Sequence, residues 1–307
     1  MDIFLQQLIN GLTLGSVYAV VALGYTMVYG IIQLINFAHG ELVMIGAMVA
    51  FTLIGVLVPA GMNPLVIVLL ATACAIPVCM LIGYAMERLA YRPLRRAPRL
   101  APLITAIGVS IILQHLALLV WSRNNLAFPQ IIKTVSYHIG GATITNVQIA
   151  IMVMSVVMMA GLALLVYRTR LGTAMRATAQ NAQVAGLMGI DINRMIAVTF
   201  VLGAALAAVA GVMVGSYYGI AHYQMGALLG MKAFAAAVLG GIGNLPGAML
   251  GGLTLGVVEA LGAGYIGDLT GNVFGSNYQD VFAFLVLITV LVFRPSGLLG
   301  ERVGDRA

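Results

Sequence analysis

Charge is scarce in this 307-residue chain: only 8% of its residues are Asp, Glu, Lys or Arg, where a soluble domain carries about 25%. With 62% hydrophobic residues and a mean hydropathy of +1.05, a soluble globular fold is excluded. Cysteine is nearly absent. Cys74 and Cys79 share one apolar segment, which leaves no basis for a disulfide framework or a thiolate metal site. No Lys or Arg precedes Arg88, so the positively charged start of a cleavable signal peptide is missing. Catalytic signatures are missing too. There is no His-Glu-x-x-His, no Gly-x-Ser-x-Gly and no His/Cys cluster at metal spacing, so no catalytic residue and no metal ligand is assigned. A phosphate-cradling Gly-x-x-x-x-Gly-Lys-Ser/Thr loop is also absent. If the chain serves an ATP-driven process, the ATPase is a separate chain and no cofactor is bound here.

What is present is membrane sequence. A span needs about 20 apolar residues, and apolar runs at 9–30, 36–58, 63–86, 101–121, 147–167, 195–218, 228–242, 248–266 and 279–293 meet or approach that length. The expected fold is an all-α polytopic membrane protein, a single transmembrane domain over 1–307 with eight or nine transmembrane helices. The net charge of +6 does not imply nucleic acid. Twelve of the fifteen Lys/Arg lie in 87–99, 168–194 and 294–306, as the bias of basic loops toward the cytoplasm predicts. That bias places 122–146 outside and the C-terminus inside. The external loop carries two β-prone runs around Gly140-Gly141, a hairpin signal that needs support from the membrane core or a partner. The side of the N-terminus stays open: it is outside if 36–58 crosses fully, inside if that segment re-enters.

Gln33, Asn36, His39 and Glu41 put four polar side chains at expected membrane depth. Irregular backbone is tolerated there only beside protein or water, so a broken or re-entrant element is expected near residues 31–47. Asn36 and His39 would share a helical face, with Gly40 allowing close approach. Ionisable residues inside spans are functional candidates by default. Asn36, His39, Glu41, Lys232 and Glu259 are therefore the candidate residues of a translocation path, against a reading in which they only hydrogen-bond between helices. Lys232 could instead snorkel to the surface, Glu259 could pair with Lys232, and Asp280 reads as an N-cap. Gln114 and His115 fit interhelical hydrogen bonding or a pore lining. Small-residue repeats at Gly11/Gly15, Gly211/Gly215, Gly252/Gly256 and Gly243/Gly247/Gly251 read as close helix packing.

One segment breaks the apolar pattern. Residues 168–194 are polar and Ala-rich, too polar to span and too helix-prone for a linker. A short surface helix is expected over 173–186, with Ala174, Ala177, Ala182 and Ala185 as a small-residue face, Gly186 and Gly189 as stops, and Asp191 capping the next span. The stretch from Ala177 to Asn193, with Ala182, Ala185, Gly186, Gly189 and Ile190, resembles the Glu-Ala-Ala-type coupling loop by which ABC importer permeases engage their ATPases. The loop's first acidic residue is replaced; Gln180 or Asn181 stands nearby. Gly24-Tyr-Thr-Met-Val-Tyr-Gly30, Ile35-Asn-Phe-Ala-His-Gly-Glu41, Glu87-Arg-Leu-Ala-Tyr-Arg-Pro93 and the run from Lys232 to Ala248 extend the resemblance over essentially the whole chain. They resemble the high-affinity branched-chain amino acid permeases, LivH type.

The resemblance implies a bacterial inner-membrane importer. This chain would be one of two permease subunits, partnered by a longer paralogue, two cytoplasmic ATPases that use the ATP, and a periplasmic amino-acid-binding protein, with lipid around it and no nucleic acid. Urea and short-amide permeases share the motifs, so they remain an alternative. A stand-alone channel or secondary transporter is the alternative from another class, and it would not need the 168–194 segment.

Overall fold

A computed structural model describes residues 2–95, 97–98, 100–269 and 278–300. Of the basic residues, Arg96, Arg99, Arg302 and Arg306 lie outside the described residues. In chain order the elements are α1 (Asp2–Ile32), α2 (His39–Leu57), α3 (Pro64–Ala85), a π-helical turn (Met86–Tyr91), α4 (Leu100–Val120), β1 (Leu126–Ala127), β2 (Ser136–Ile139), β3 (Ala142–Thr145), α5 (Asn146–Arg168), α6 (Arg170–Gln180), α7 (Ala182–Leu187), α8 (Ile192–Tyr218), β4 (Ile220–Ala221), α9 (Met225–Gly240), α10 (Leu245–Leu269) and α11 (Gln279–Phe293). Among the described residues seven helices are long and apolar enough to cross a membrane, so the protein is a polytopic membrane protein. The runs expected at 228–242 and 279–293 form α9 and α11, shorter apolar helices of 16 and 15 residues. At 1.5 Å per residue they reach about 24 and 22 Å, short of a 30 Å hydrocarbon core.

Helix starts follow local chemistry. Asn63 accepts from the Leu65 N–H at 2.9 Å with Pro64 in the first turn of α3, and Asp191 accepts from the Arg194 N–H at 3.1 Å to open α8. Each side chain satisfies a backbone donor that the helix cannot.

The chain divides into two compact units, one of residues 1–23, 134–159 and 232–307, the other of 24–133 and 160–231. In the first, the start of α1 meets α10 backbone to backbone. A Cβ on Gly11 would stand 2.6 Å from Val257 Cα, and one on Gly15 2.8 Å from Leu253 Cα. Gly252 and Gly256 press back on Ala19 and Gly15, as small residues at this spacing allow in lipid. Gly247 and Gly251 pack likewise on Gly240, but Gly243 does not. It has φ 97° and open space around it, so it is a turn residue between α9 and α10.

The hairpin forms where expected. β2 and β3 pair antiparallel with Ile139 opposite Ala142, around Gly140 and Gly141 at φ 54° and 87°, the left-handed pair of a two-residue turn. Its support comes from α1. Gln6 donates to the Thr143 carbonyl at 3.1 Å and accepts from the Thr143 N–H at 2.8 Å, and Gln148 donates to Asn10 at 3.1 Å.

In the second unit α8 is the central helix, buried along most of its length, with α2 and α3 against it. Its neighbours mark position along it. Asn193 binds Arg95, Gly203 faces His39 and Gly24, Gly211 meets Val43 and Ala47, and Gly215 lies under the Phe128 ring. His39 therefore sits eleven residues along α8, about 16 Å into a helix about 40 Å long. The start of α2 thus lies beside the middle of α8, and the broken element is real. The break is confined to 33–38, with α2 continuous from His39 onward. Outside helices, β1 pairs with β4, a contact with no strong sequence signal.

Gln6→Ala removes both amide contacts to Thr143. We expect a loss of about 1–2 kcal/mol of local stability, read as roughly tenfold faster hydrogen exchange at residues 136–145 while α8 is unchanged.

Candidate functional site

The break at 33–38 has a local cause. Gln33 adopts φ 52°, a conformation rare for a residue with a side chain. Asn36 Oδ1 then accepts from the Ala38 N–H at 3.1 Å, and the Asn36 carbonyl accepts from His39 N–H at 3.0 Å. Such a side chain offers the backbone a turn in place of a helix. Asn36 is thus not on a helical face with His39, as the sequence spacing suggested. The Tyr91 hydroxyl donates to the same Oδ1 at 2.8 Å, and the Tyr91 ring packs 5.1 Å from that of Phe200. Asn36 is 2% exposed, and its Nδ2 has no partner among the described residues.

His39 occupies a slot that glycine makes. A Cβ on Gly24 would collide with its imidazole, and one on Gly203 would stand 3.5 Å from it. The Tyr25 ring meets it edge-on at 4.8 Å. Gly40 allows the expected close approach: its Cβ would strike the Gly226 carbonyl and stand 2.8 Å from Gly230 Cα. The starts of α2 and α9 therefore touch through glycine.

Glu41, fully buried, follows directly. Its Oε1 accepts from Ser110 at 2.9 Å and from Gln114 at 2.8 Å. Its Oε2 lies 2.7 Å from where a Cβ on Gly226 would be and has no hydrogen-bond partner among the described residues. No cation among the described residues stands within salt-bridge distance of it. Sequence reading singled out Asn36, His39 and Glu41 but not Tyr25, Tyr91 or Ser110. The available signal for Ser110 was its one-turn spacing from Gln114 in an otherwise apolar span. His115, beside it, bonds its own helix at the Ile111 carbonyl, 2.8 Å away.

Lys232 and Glu259 belong to another cluster, in the first unit. Lys232 Nζ lies 2.7 Å from Glu259 Oε1 and 2.6 Å from Asp280 Oδ1. Tyr18 donates to Glu259 Oε2 at 3.0 Å. Lys232 is 7% exposed, so it does not snorkel. Asp280 lies inside the first turn of α11, so it is an ion-pair partner and not an N-cap. One ammonium ties α9, α10 and α11 together, with Tyr18 of α1 attached through Glu259.

A third acid, Glu87, is buried in the π-helical turn. Arg92 meets it at 2.8 Å, and Arg95 bonds both Glu87 and, at 2.6 Å, Asn193 at the start of α8. The Glu87 hydrogen bond holds the Arg92 guanidinium above its ordinary value; burial pulls Arg95 below its own, against the attraction of Glu87.

Residues 168–194 fold as two short helices. Asn181 ends α6 and caps α7, accepting from the Val184 N–H at 3.0 Å, which divides the single helix expected over 173–186. Gly172 sits on the Leu165 and Val166 carbonyls, folding α6 back on α5. Gly189 stops the segment at φ 87°, but Gly186 lies inside α7. Ala185 is buried, and Ala177, Ala182 and Ile190 are half-buried. The small-residue face thus turns largely inward. The outward face is apolar and larger: Val184, Leu187 and Met188, the last two 87% and 79% exposed.

Removing Lys232 alone would leave two carboxylates in a buried site, and Lys232→Met is expected to cost about 3–5 kcal/mol, seen as a large fall in the thermal midpoint of the purified protein. Lys232→Met combined with Glu259→Gln should recover part of that loss. A midpoint unchanged in the single variant would show that the pair carries no such load.

The family model that matches this chain, over residues 7–291, is described as "Branched-chain amino acid transport system / permease component". The chain is 51% identical over 304 residues to the high-affinity branched-chain amino acid transport system permease protein BraD of Pseudomonas aeruginosa, covering 97% of this chain and 96% of that one. It is 45% identical over the same shares to the LivH permease protein of Escherichia coli. A probable branched-chain amino acid transport permease protein LivH of Methanocaldococcus jannaschii is 26% identical over 93% of this chain and 89% of its own length. No solved structure matches. With a family model spanning nearly its full length and two such relatives, the chain belongs to the permease-component family of branched-chain amino acid transport systems.

Proposed function

We propose that this chain is a membrane-spanning permease subunit of an ATP-driven importer carrying branched-chain amino acids across the bacterial inner membrane. Its partners are a second, longer permease chain, two cytoplasmic ATPases that hydrolyse the ATP, and a periplasmic amino-acid-binding protein. The observation that carries this reading is the family match along residues 7–291. The urea and short-amide alternative finds no support among the named relatives. The exposed Leu187–Met188 face speaks against a stand-alone channel, which would have no use for an apolar surface on a polar segment.

On this reading 168–194 is the ATPase platform and lies in the cytoplasm with the other basic segments and the C-terminus. The outward Val184, Leu187 and Met188 supply apolar contact, and the half-buried Ala177, Ala182 and Ile190 with Ala185, Gly186 and Gly189 set their position. On the same reading the hairpin is periplasmic and the N-terminus, bonded to it through Gln6 and Thr143, is periplasmic with it, so the break at 33–38 is taken as an interruption that does not turn the N-terminus inward. The path runs past Asn36, His39 and Glu41. Lys232 and Glu259 neutralise each other and hold α9 to α10. Few uncompensated charges suit a zwitterion with an aliphatic side chain, because a strongly charged conduit would hold it.

Reconstitution with the partner subunits tests the reading. Leucine, isoleucine and valine with the binding protein should stimulate ATP hydrolysis several-fold, and urea should not; the reverse would assign another substrate. Leu187→Asp with Met188→Asp should abolish co-purification of the ATPases while leaving the chain folded. A cysteine at Ser136 should react with an impermeant reagent applied outside intact spheroplasts, and reaction only after lysis would invert the topology.

A further inference from the structure

Among the described residues four acids are buried or half-buried, and they differ in one respect. Glu87 has Arg92 and Arg95; Glu259 and Asp280 share Lys232. Glu41, as fully buried as Glu87, has only neutral donors, Ser110 and Gln114, on one oxygen. Its other oxygen, against Gly226 in the first turn of α9, is unpartnered among the described residues. The helix end there supplies at most roughly half a unit of positive charge, less than a counter-ion. A carboxylate so placed must either be neutral or meet a cation from elsewhere. Five residues earlier, buried Asn36 holds the opposite kind of group: an Nδ2 donor without a partner among the described residues. Both lie at the start of α2, beside the middle of α8, where Gly40, Gly226 and Gly230 leave backbone uncovered by side chains.

Resting on the proposed importer reading, we propose that Glu41 receives the α-ammonium group of the amino acid in passage, while Asn36 Nδ2 and the first turn of α2 face its carboxylate. The ligand is thus any α-amino acid zwitterion small enough to pass, its ammonium supplying the missing counter-ion. Selectivity for the amino acid backbone is then written into the permease itself. The contact of α2 with α9 at Gly40 and Gly226 is the closed form of this station, since no methyl group fits between them.

The test uses the reconstituted complex with its ATPases and binding protein. Glu41→Gln is the discriminating variant, because it preserves shape and imitates a neutral acid. If Glu41 acts as a charge, leucine uptake falls at least about tenfold while basal ATP hydrolysis persists, and Glu41→Asp restores part of it. Uptake at the parent rate in Glu41→Gln overturns the proposal. A second measurement does not depend on uptake. In a Cys74→Ala, Cys79→Ala background, Ser110→Cys places a thiol beside the carboxylate, to be titrated with methanethiosulfonates of equal size, one cationic and one neutral, during ATP turnover. The cationic reagent should react about tenfold faster, leucine should slow both, and the preference should vanish in Glu41→Gln. Equal rates in the Glu41 protein overturn the ammonium role but leave the path in place if leucine still protects. Reaction that leucine does not slow, or no reaction in any nucleotide state, removes Glu41 from the path and overturns both readings.

Discussion

Polar atoms in hydrocarbon must find partners inside the protein, and this constraint organises most of what is specific about the chain. Backbone is handled by helices. Side chains are handled in three ways. Glu87 is over-compensated by two guanidinium groups at a π-helical turn. Lys232 is shared between two carboxylates on different helices. Glu41 is left with neutral donors. The first two arrangements cross-link elements and cost stability when broken, since an orphaned buried charge is worse than none. The third cross-links α2 to α4 weakly and leaves electrostatic work undone, a poor choice for stability alone.

The irregular backbone follows the same logic. A turn inside a membrane protein exposes groups that no helix satisfies, and Asn36 meets that need by folding its own side chain onto the Ala38 N–H, with Tyr91 sealing the arrangement from α3's end. Tyr91 in turn lies in the same π-helical turn as Glu87, whose partner Arg95 reaches Asn193 at the base of α8. The residues between the 168–194 segment and the start of α2 are thus joined through side-chain hydrogen bonds and one helical turn.

Much of this was legible in the sequence. Composition settled the membrane class, the hairpin turn was written in Gly140-Gly141, and Asp191 announced the start of α8. The break near Asn36 was readable because four polar residues crowd an apolar run. Other features were not readable, for stated reasons. The division of 173–186 at Asn181 depends on a cap competing with a helix that alanine favours, a balance of a few tenths of a kcal/mol per residue. Which face of α7 turns outward depends on how α7 packs against α8, a tertiary fact. Spacing alone suggested Asn36 and His39 on one face because it assumed a helix there. Lys232 with Glu259 was an open choice, as the two are 27 residues apart and only the turn around Gly243 decides that their helices lie side by side.

The part of the seam between α1 and α10 that Gly11, Gly15, Gly252 and Gly256 form is packed mainly on main chain, with the Tyr18–Glu259 hydrogen bond beside it. A contact between side chains is compliant: rotamers hop, and a small shear is absorbed by rearrangement. A contact between bare backbones has no torsions to spend. It can hold or it can part, but it cannot creep. These two helix segments should therefore behave as one stiff girder under load, and whatever bending the transport cycle demands of this unit must be taken up where side chains or turns still offer some give.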